Sequence, residues 1–79
     1  MTSREVRERN RKMAARVALG DFVKYRDSIQ VTCGRVRKIG DLVEHQESPG
    51  EFRRLFQLQV GPILTSCWDD EVIAVVKLN

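Results

Sequence analysis

The chain has 79 residues, 42% hydrophobic and 32% charged, with a formal net charge of +3. That length leaves no room for a second domain, and that composition argues against a disordered chain. No run approaches the ~18 apolar residues of a membrane-spanning helix, so no membrane partner is expected. The charged opening also lacks the apolar stretch of a secretory signal. An intracellular location, cytoplasmic or nuclear, is the expectation, with Cys33 and Cys67 as free thiols; in an oxidising compartment they have the option of a bridge.

Charge is unevenly placed. Residues 1–20 carry six Lys/Arg against Glu5 and Glu8, whereas residues 21–79 carry eight Lys/Arg against nine Asp/Glu. A basic leading segment on a near-neutral body has the asymmetry of an electrostatic arm. A core this small is marginal, since a domain of ~60 residues buries only ~60% of its unfolded surface. Self-association is therefore a reasonable second expectation.

Residues 3–19 read as a helix. Thr2 and Glu5 have capping-box spacing, the interior is rich in Arg, Glu, Lys, Met and Ala, and Gly20 suits a stop. Val6, Met13 and Val17, with Asn10 between, form a narrow stripe expected to pack inward. The second half of the helix should dock and the first half fray. Around "RERNRKMAAR" (7–16), Asn10, Ala14, Ala15 and Arg16 resemble the basic region of leucine-zipper transcription factors. One extra residue separates Asn10 from Ala14, and no heptad repeat follows.

After Gly20 the periodicity changes to that of strands. "DFVKYR" (21–26) alternates, with Val23 and Tyr25 on one side. "SIQVTCGRVRKIG" (28–40) is β-branched and long, and Gly34 inside it marks a bulge or bend. "DLVEHQE" (41–47) continues as a strand, and "SPGE" (48–51) is a turn. "FRRLFQLQV" (52–60) places Phe56, Leu58 and Val60 on one face, and "GP" breaks it. "CWDDE" (67–71) reads as a turn or one 3₁₀ turn capped by Asp69 or Asp70. "VIAVVKL" (72–78) is the last strand.

About five short strands with brief turns predict a mainly β (α+β) domain, a small barrel or sandwich after an N-terminal helix. On "LGDFVKY" (19–25), "GRVRKIG" (34–40) and "DDEVIAVV" (69–76), the chain resembles SH3-like barrels, in particular KOW, Tudor and BAH-type modules. The resemblance covers about residues 19–79 and implies a five-stranded barrel over 20–79 behind a basic helix or arm over 1–19.

The functional expectation is a nucleic-acid-binding module for DNA or RNA, with little sequence specificity. Arg4, Arg7, Arg9, Arg11, Lys12 and Arg16 would contact phosphates, releasing counterions without needing base register. Arg35, Arg37, Lys38, Arg53 and Arg54 would extend the track. The bland alternative is a solvated helix in which Glu5 pairs with Arg9, and Glu8 with Arg11 or Lys12. A different class is also open: a protein-interaction or self-assembly module with no nucleic-acid role. In that class Tyr25, Trp68, Asp69, Asp70 and Glu71 would hold a cationic peptide side chain. His45 beside Glu44 and Glu47 is the only acid–base constellation, and no nucleophile or phosphate-loop motif accompanies it. An enzyme is not expected, nor is a cofactor. With one histidine and no C-x-x-C pair, neither is a metal.

Overall fold

The computed structural model describes residues 2–77 and opens with α1 (Ser3–Ala14). The Thr2 hydroxyl caps α1 by accepting from the Glu5 amide at 3.2 Å. This satisfies one of the amides that a helix start leaves bare. The helix stops at Ala14 rather than at 19. The Asp21 carboxylate accepts from the Ala18 amide at 2.9 Å, and the Gly20 amide donates to the Val36 carbonyl at 2.9 Å. These bonds draw residues 18–21 off the helical path and onto the sheet.

Five antiparallel strands follow: β1 (Phe22–Arg26), β2 (Val31–Glu44), β3 (Phe52–Val60), β4 (Ile63–Trp68) and β5 (Val72–Val76). They lie in the order β4-β3-β2-β1-β5. The 3₁₀ turn Asp69–Glu71 carries the chain from one sheet edge to the other. The fold is thus mainly β with one N-terminal helix. Val23, Tyr25, Val36, Phe56, Leu58, Cys67 and Val72 share one core with Ala14 of α1. Both edge strands contribute to that core, so the sheet curls. Among the described residues no ladder joins β4 to β5.

Three local expectations are corrected. The strands expected at 28–40 and 41–47 are one strand, β2. It begins at Val31 because the Asp27 carboxylate accepts from the Ile29 and Gln30 amides, both at 2.8 Å, and folds a turn there. Ile63–Trp68 forms a strand that the sequence pattern did not disclose. The register runs unbroken through Val23↔Gly34, and the irregularities fall instead between Val36 and Lys38 and between Ile39 and Leu42. Leu78 of the expected last strand lies outside the described residues.

Gly34 serves close approach rather than a bulge. A Cβ there would stand 2.9 Å from Val60 Cγ2 and 3.1 Å from Leu58 Cβ. Gly34→Ala is expected to cost about 1–3 kcal/mol by overpacking. A lowered urea midpoint with unchanged slope is the expected reading; an unchanged midpoint would mean that Val60 moves aside freely. No helix among the described residues is long and apolar enough to cross a membrane.

Candidate nucleic-acid interface

Of the expected Val6/Met13/Val17 stripe, Val17 beyond the helix end packs against the core, but the face that α1 itself turns to the body is a different one. Asn10 and Ala14 are its buried residues, and Arg7 and Arg11 point the same way. These four have i, i+3, i+4, i+7 spacing, which places them on one helix face. Arg7 donates through Nε and Nη2 to the two oxygens of Glu51, at 3.3 and 2.9 Å. Arg11 donates to Glu51 Oε1 at 2.9 Å and lies 3.7 Å from Asp70 Oδ2. Arg53 donates to Asp70 Oδ1 at 3.2 Å, and its guanidinium sits 4.0 Å from the centre of the Trp68 ring. Asn10 donates to the Asp70 carbonyl at 2.8 Å.

Two buried carboxylates thus gather three arginines. They clamp α1 to the start of β3 and to the 3₁₀ turn. The first half of the helix is tied down through Arg7 rather than left to fray. Three of the expected phosphate contacts, Arg7, Arg11 and Arg53, are committed internally. Charge-assisted forks of this kind are short and directional, and a phosphate would have to displace Glu51 or Asp70 to reach them. Arg4 pairs with Glu8 on the exposed surface at 3.3 Å, rather than Glu8 with Arg11 or Lys12. The Glu5 carboxylate takes the Thr2 hydroxyl at 3.2 Å.

The clamp has a pH signature. The Arg7 fork holds the Glu51 carboxyl at about 2, against the opposing effect of burial and with help from Arg11. A carboxyl whose pKa is lowered by folding stabilises the fold above its unfolded value, and that contribution is lost as protons return. The loss runs from the ordinary carboxylate range, about 4.5, down to about 2. Burial pushes Asp69 and Glu71 the other way. Their contribution grows as pH falls toward the ordinary range and is complete below it. Stability is therefore expected to fall steeply between about pH 4.5 and pH 2. Urea midpoints across that interval should be flatter for Glu51→Gln; an equally steep acid limb would remove Glu51 from the account.

The outward surface carries the opposite arrangement. Arg9 and Lys12, three residues apart on α1, and Arg16, just past its end, are all exposed. Lys12 and Arg16 line a groove of about 710 Å³ between α1 and β5, together with Met13, Ala74 and Val75. Ala74 is the cross-strand partner of Lys24. On the same outer sheet face stand Arg26, opposite Val31, and Arg35, opposite Phe22. Arg37 and Lys38, both exposed at the β2 irregularity, continue it. None of these eight cations has an ion-pair partner among the described residues. Arg35 lies over the Phe22 ring at 4.9 Å. Asp21 is engaged with Lys77 at 2.7 Å, and Asp27 within its turn.

The second expected basic set divides. Arg35, Arg37 and Lys38 join the open face. Arg53 and Arg54, adjacent on β3, leave it on opposite sides of the strand, and Arg53 is bound to Asp70. Sequence reasoning passed over Lys24 and Arg26. Their signal was present, because residues alternating with the inward Val23 and Tyr25 must face out.

The expected peptide cage is not assembled. Tyr25 is buried in the core and Asp69 and Asp70 are buried. Trp68 is stacked under Arg53, and the Glu71 carboxylate accepts from the Trp68 amide at 2.7 Å. Glu71, rather than Asp69 or Asp70, thereby closes the 3₁₀ turn. His45 Nδ1 accepts from the Glu47 amide at 3.1 Å, so the ring braces the 45–48 turn. Cys33 is exposed on β2 and Cys67 is buried; both are free thiols. Burial, with the nearby acids, pushes the Cys67 thiol up to about 12. No protein family, curated protein or solved structure matches the chain.

Proposed function

We propose that the protein is a small nucleic-acid-binding module of the SH3-like kind. It would grip phosphates across the outer face of β1 and β2 and the outward stripe of α1. The observation that carries this reading is the run of eight cations without an ion-pair partner among the described residues, from Arg9, Lys12 and Arg16 past Ala74 to Lys24, Arg26, Arg35, Arg37 and Lys38. The SH3-like part is supported by the strand order, the long β2 and the helical turn before the last strand. Between the cations the groove is lined by Met13, Ala74 and Val75, with Lys77 neutralised by Asp21. The surface therefore positions a backbone and offers little to read base sequence. An intracellular setting, where Cys33 stays reduced, accords with this role.

The test is fluorescence anisotropy of labelled nucleic acid with the full chain across a salt series. Five to eight phosphate contacts predict a slope of log affinity against log salt of about −4 to −7. Absence of binding near ~50 mM salt, or a slope near zero, would overturn the reading.

One observation favours a protein-interaction reading instead. The edge strand β4 exposes Ile63 and Leu64, and Leu64 shares a groove with Leu55 on β3. Unpaired edges with apolar side chains are ready templates for another chain. Sedimentation of the protein alone separates the two: a monomer at high concentration speaks against self-assembly through β4.

A further inference from the structure

We infer that the nucleic acid held by this face is a duplex rather than a single strand. The inference rests on the phosphate-binding reading above and concerns what that same face selects. Proteins that hold single strands pair a cationic groove with bare aromatic rings on which successive bases stack. The chain has five aromatic residues, and the basic face offers none of them as a platform. Tyr25 and Phe56 are in the core. Phe22 lies on the basic face, but the Arg35 guanidinium covers its ring. Trp68 is covered by Arg53. Phe52 is exposed, yet it stands at the start of β3 opposite Glu44, beside the clamp carboxylate Glu51. Unstacked bases thus gain nothing here, and phosphate is the only group addressed.

The cations suit a dense and regular charge array. Along one strand, side chains on the same face repeat about every 6.7 Å, and neighbouring strands lie about 4.8 Å apart. Their spacing is therefore set by backbone hydrogen bonds rather than by flexible loops. Arg9 and Lys12 are held as firmly, because Glu51 and Asp70 lock another side of α1. A duplex presents one phosphate charge per ~1.7 Å of axis, twice the density of either strand alone. The groove floored by Met13, Ala74 and Val75 separates the helix row from the sheet row. Two rows separated by a groove whose one further cation, Lys77, is paired with Asp21 can meet the two backbones of one duplex. The molecule measures 34 × 24 × 24 Å, so its face spans about 7–10 base pairs at 3.4 Å per pair.

The experiment is anisotropy at one low salt concentration with the full chain. Its probes are a ~20-base-pair DNA duplex, the corresponding RNA duplex and each isolated strand. Each duplex is expected to bind at least about tenfold more tightly than its own strands, and duplexes shorter than about 7 base pairs should lose affinity sharply. Strands that bind as tightly as their duplex, or more so, would overturn this inference and leave the phosphate-binding reading standing. Failure of every probe to bind would overturn both.

Discussion

Reversing three charges on the outer sheet face, Lys24→Glu with Arg37→Glu and Lys38→Glu, is expected to abolish nucleic-acid binding and leave the fold intact. All three side chains are exposed, and none has an ion-pair partner among the described residues. Surface changes away from such partners typically stay within about 0.5 kcal/mol of the parent. Three contacts are lost and three repulsions are gained, so affinity should fall by about 10³-fold or more at low salt. The matched contrast is Arg7→Gln with Arg11→Gln, which also removes two cations. Those residues face Glu51 and Asp70, so this variant should lose stability far more than affinity. Anisotropy and urea unfolding on both variants check the pairing. Equal losses of affinity from the two would mean that the inward and outward cations are not functionally distinct.

The second large effect is on the clamp. Asp70→Ala is expected to destabilise the protein by about 3–5 kcal/mol, because Arg53 would be left largely buried without its carboxylate and Arg11 would keep only Glu51. The Asp70 side chain is 3% exposed, against 18% for Arg53 and 17% for Arg11, so solvent can do little to replace it. A domain of this length is typically stable by about 4–12 kcal/mol, so the variant should be marginal at room temperature. Asp70→Asn keeps an acceptor for Arg53 and should recover part of the loss. Urea midpoints decide it. A cost of under about 1 kcal/mol would put this pair in the class of exposed salt bridges. The same loss should loosen α1 at Arg11, which reaches the Asp70 carboxylate, while the Asn10 bond to the Asp70 main-chain carbonyl is kept.

Local chemistry was legible wherever it acts over a few residues. The Thr2 cap, the alternation of Val23 and Tyr25 in β1, the inward Phe56 and Leu58, and the helical turn at Asp69–Glu71 all follow from short-range rules. Strand β4 escaped notice because "ILTSCW" does not alternate cleanly: Ile63 and Leu64 are neighbours and both exposed. Its identity as a strand comes from pairing with β3, from Leu55↔Trp68 to Val60↔Ile63. The continuity of β2 past Gly34 and Gly40 was hidden for a related reason. Those glycines mark close contacts with β3, a neighbour that sequence spacing does not reveal.

The site was legible as charge but not as geometry. Hydrophobic periodicity pointed to Val6, Met13 and Val17, because an apolar stripe is its only guide to an inward face. The actual inward face of α1 contains two arginines and an asparagine. They are held by Glu51 and Asp70, 40 or more residues away in the chain. Nothing local distinguishes Arg7 and Arg11 from Arg9 and Lys12. Only the tertiary position of two carboxylates sorts them into a structural set and an open set.

Cys33 offers a direct probe of the open set. It is exposed on β2, opposite Lys24 and two residues before Arg35, while Cys67 is buried and silent. The decisive measurement is the alkylation rate of Cys33 with and without saturating duplex. A nucleic acid lying across β1 and β2 should slow that reaction at least about tenfold at low salt, and the protection should vanish as salt releases the complex. Full reactivity of Cys33 in a demonstrably bound complex would contradict the account.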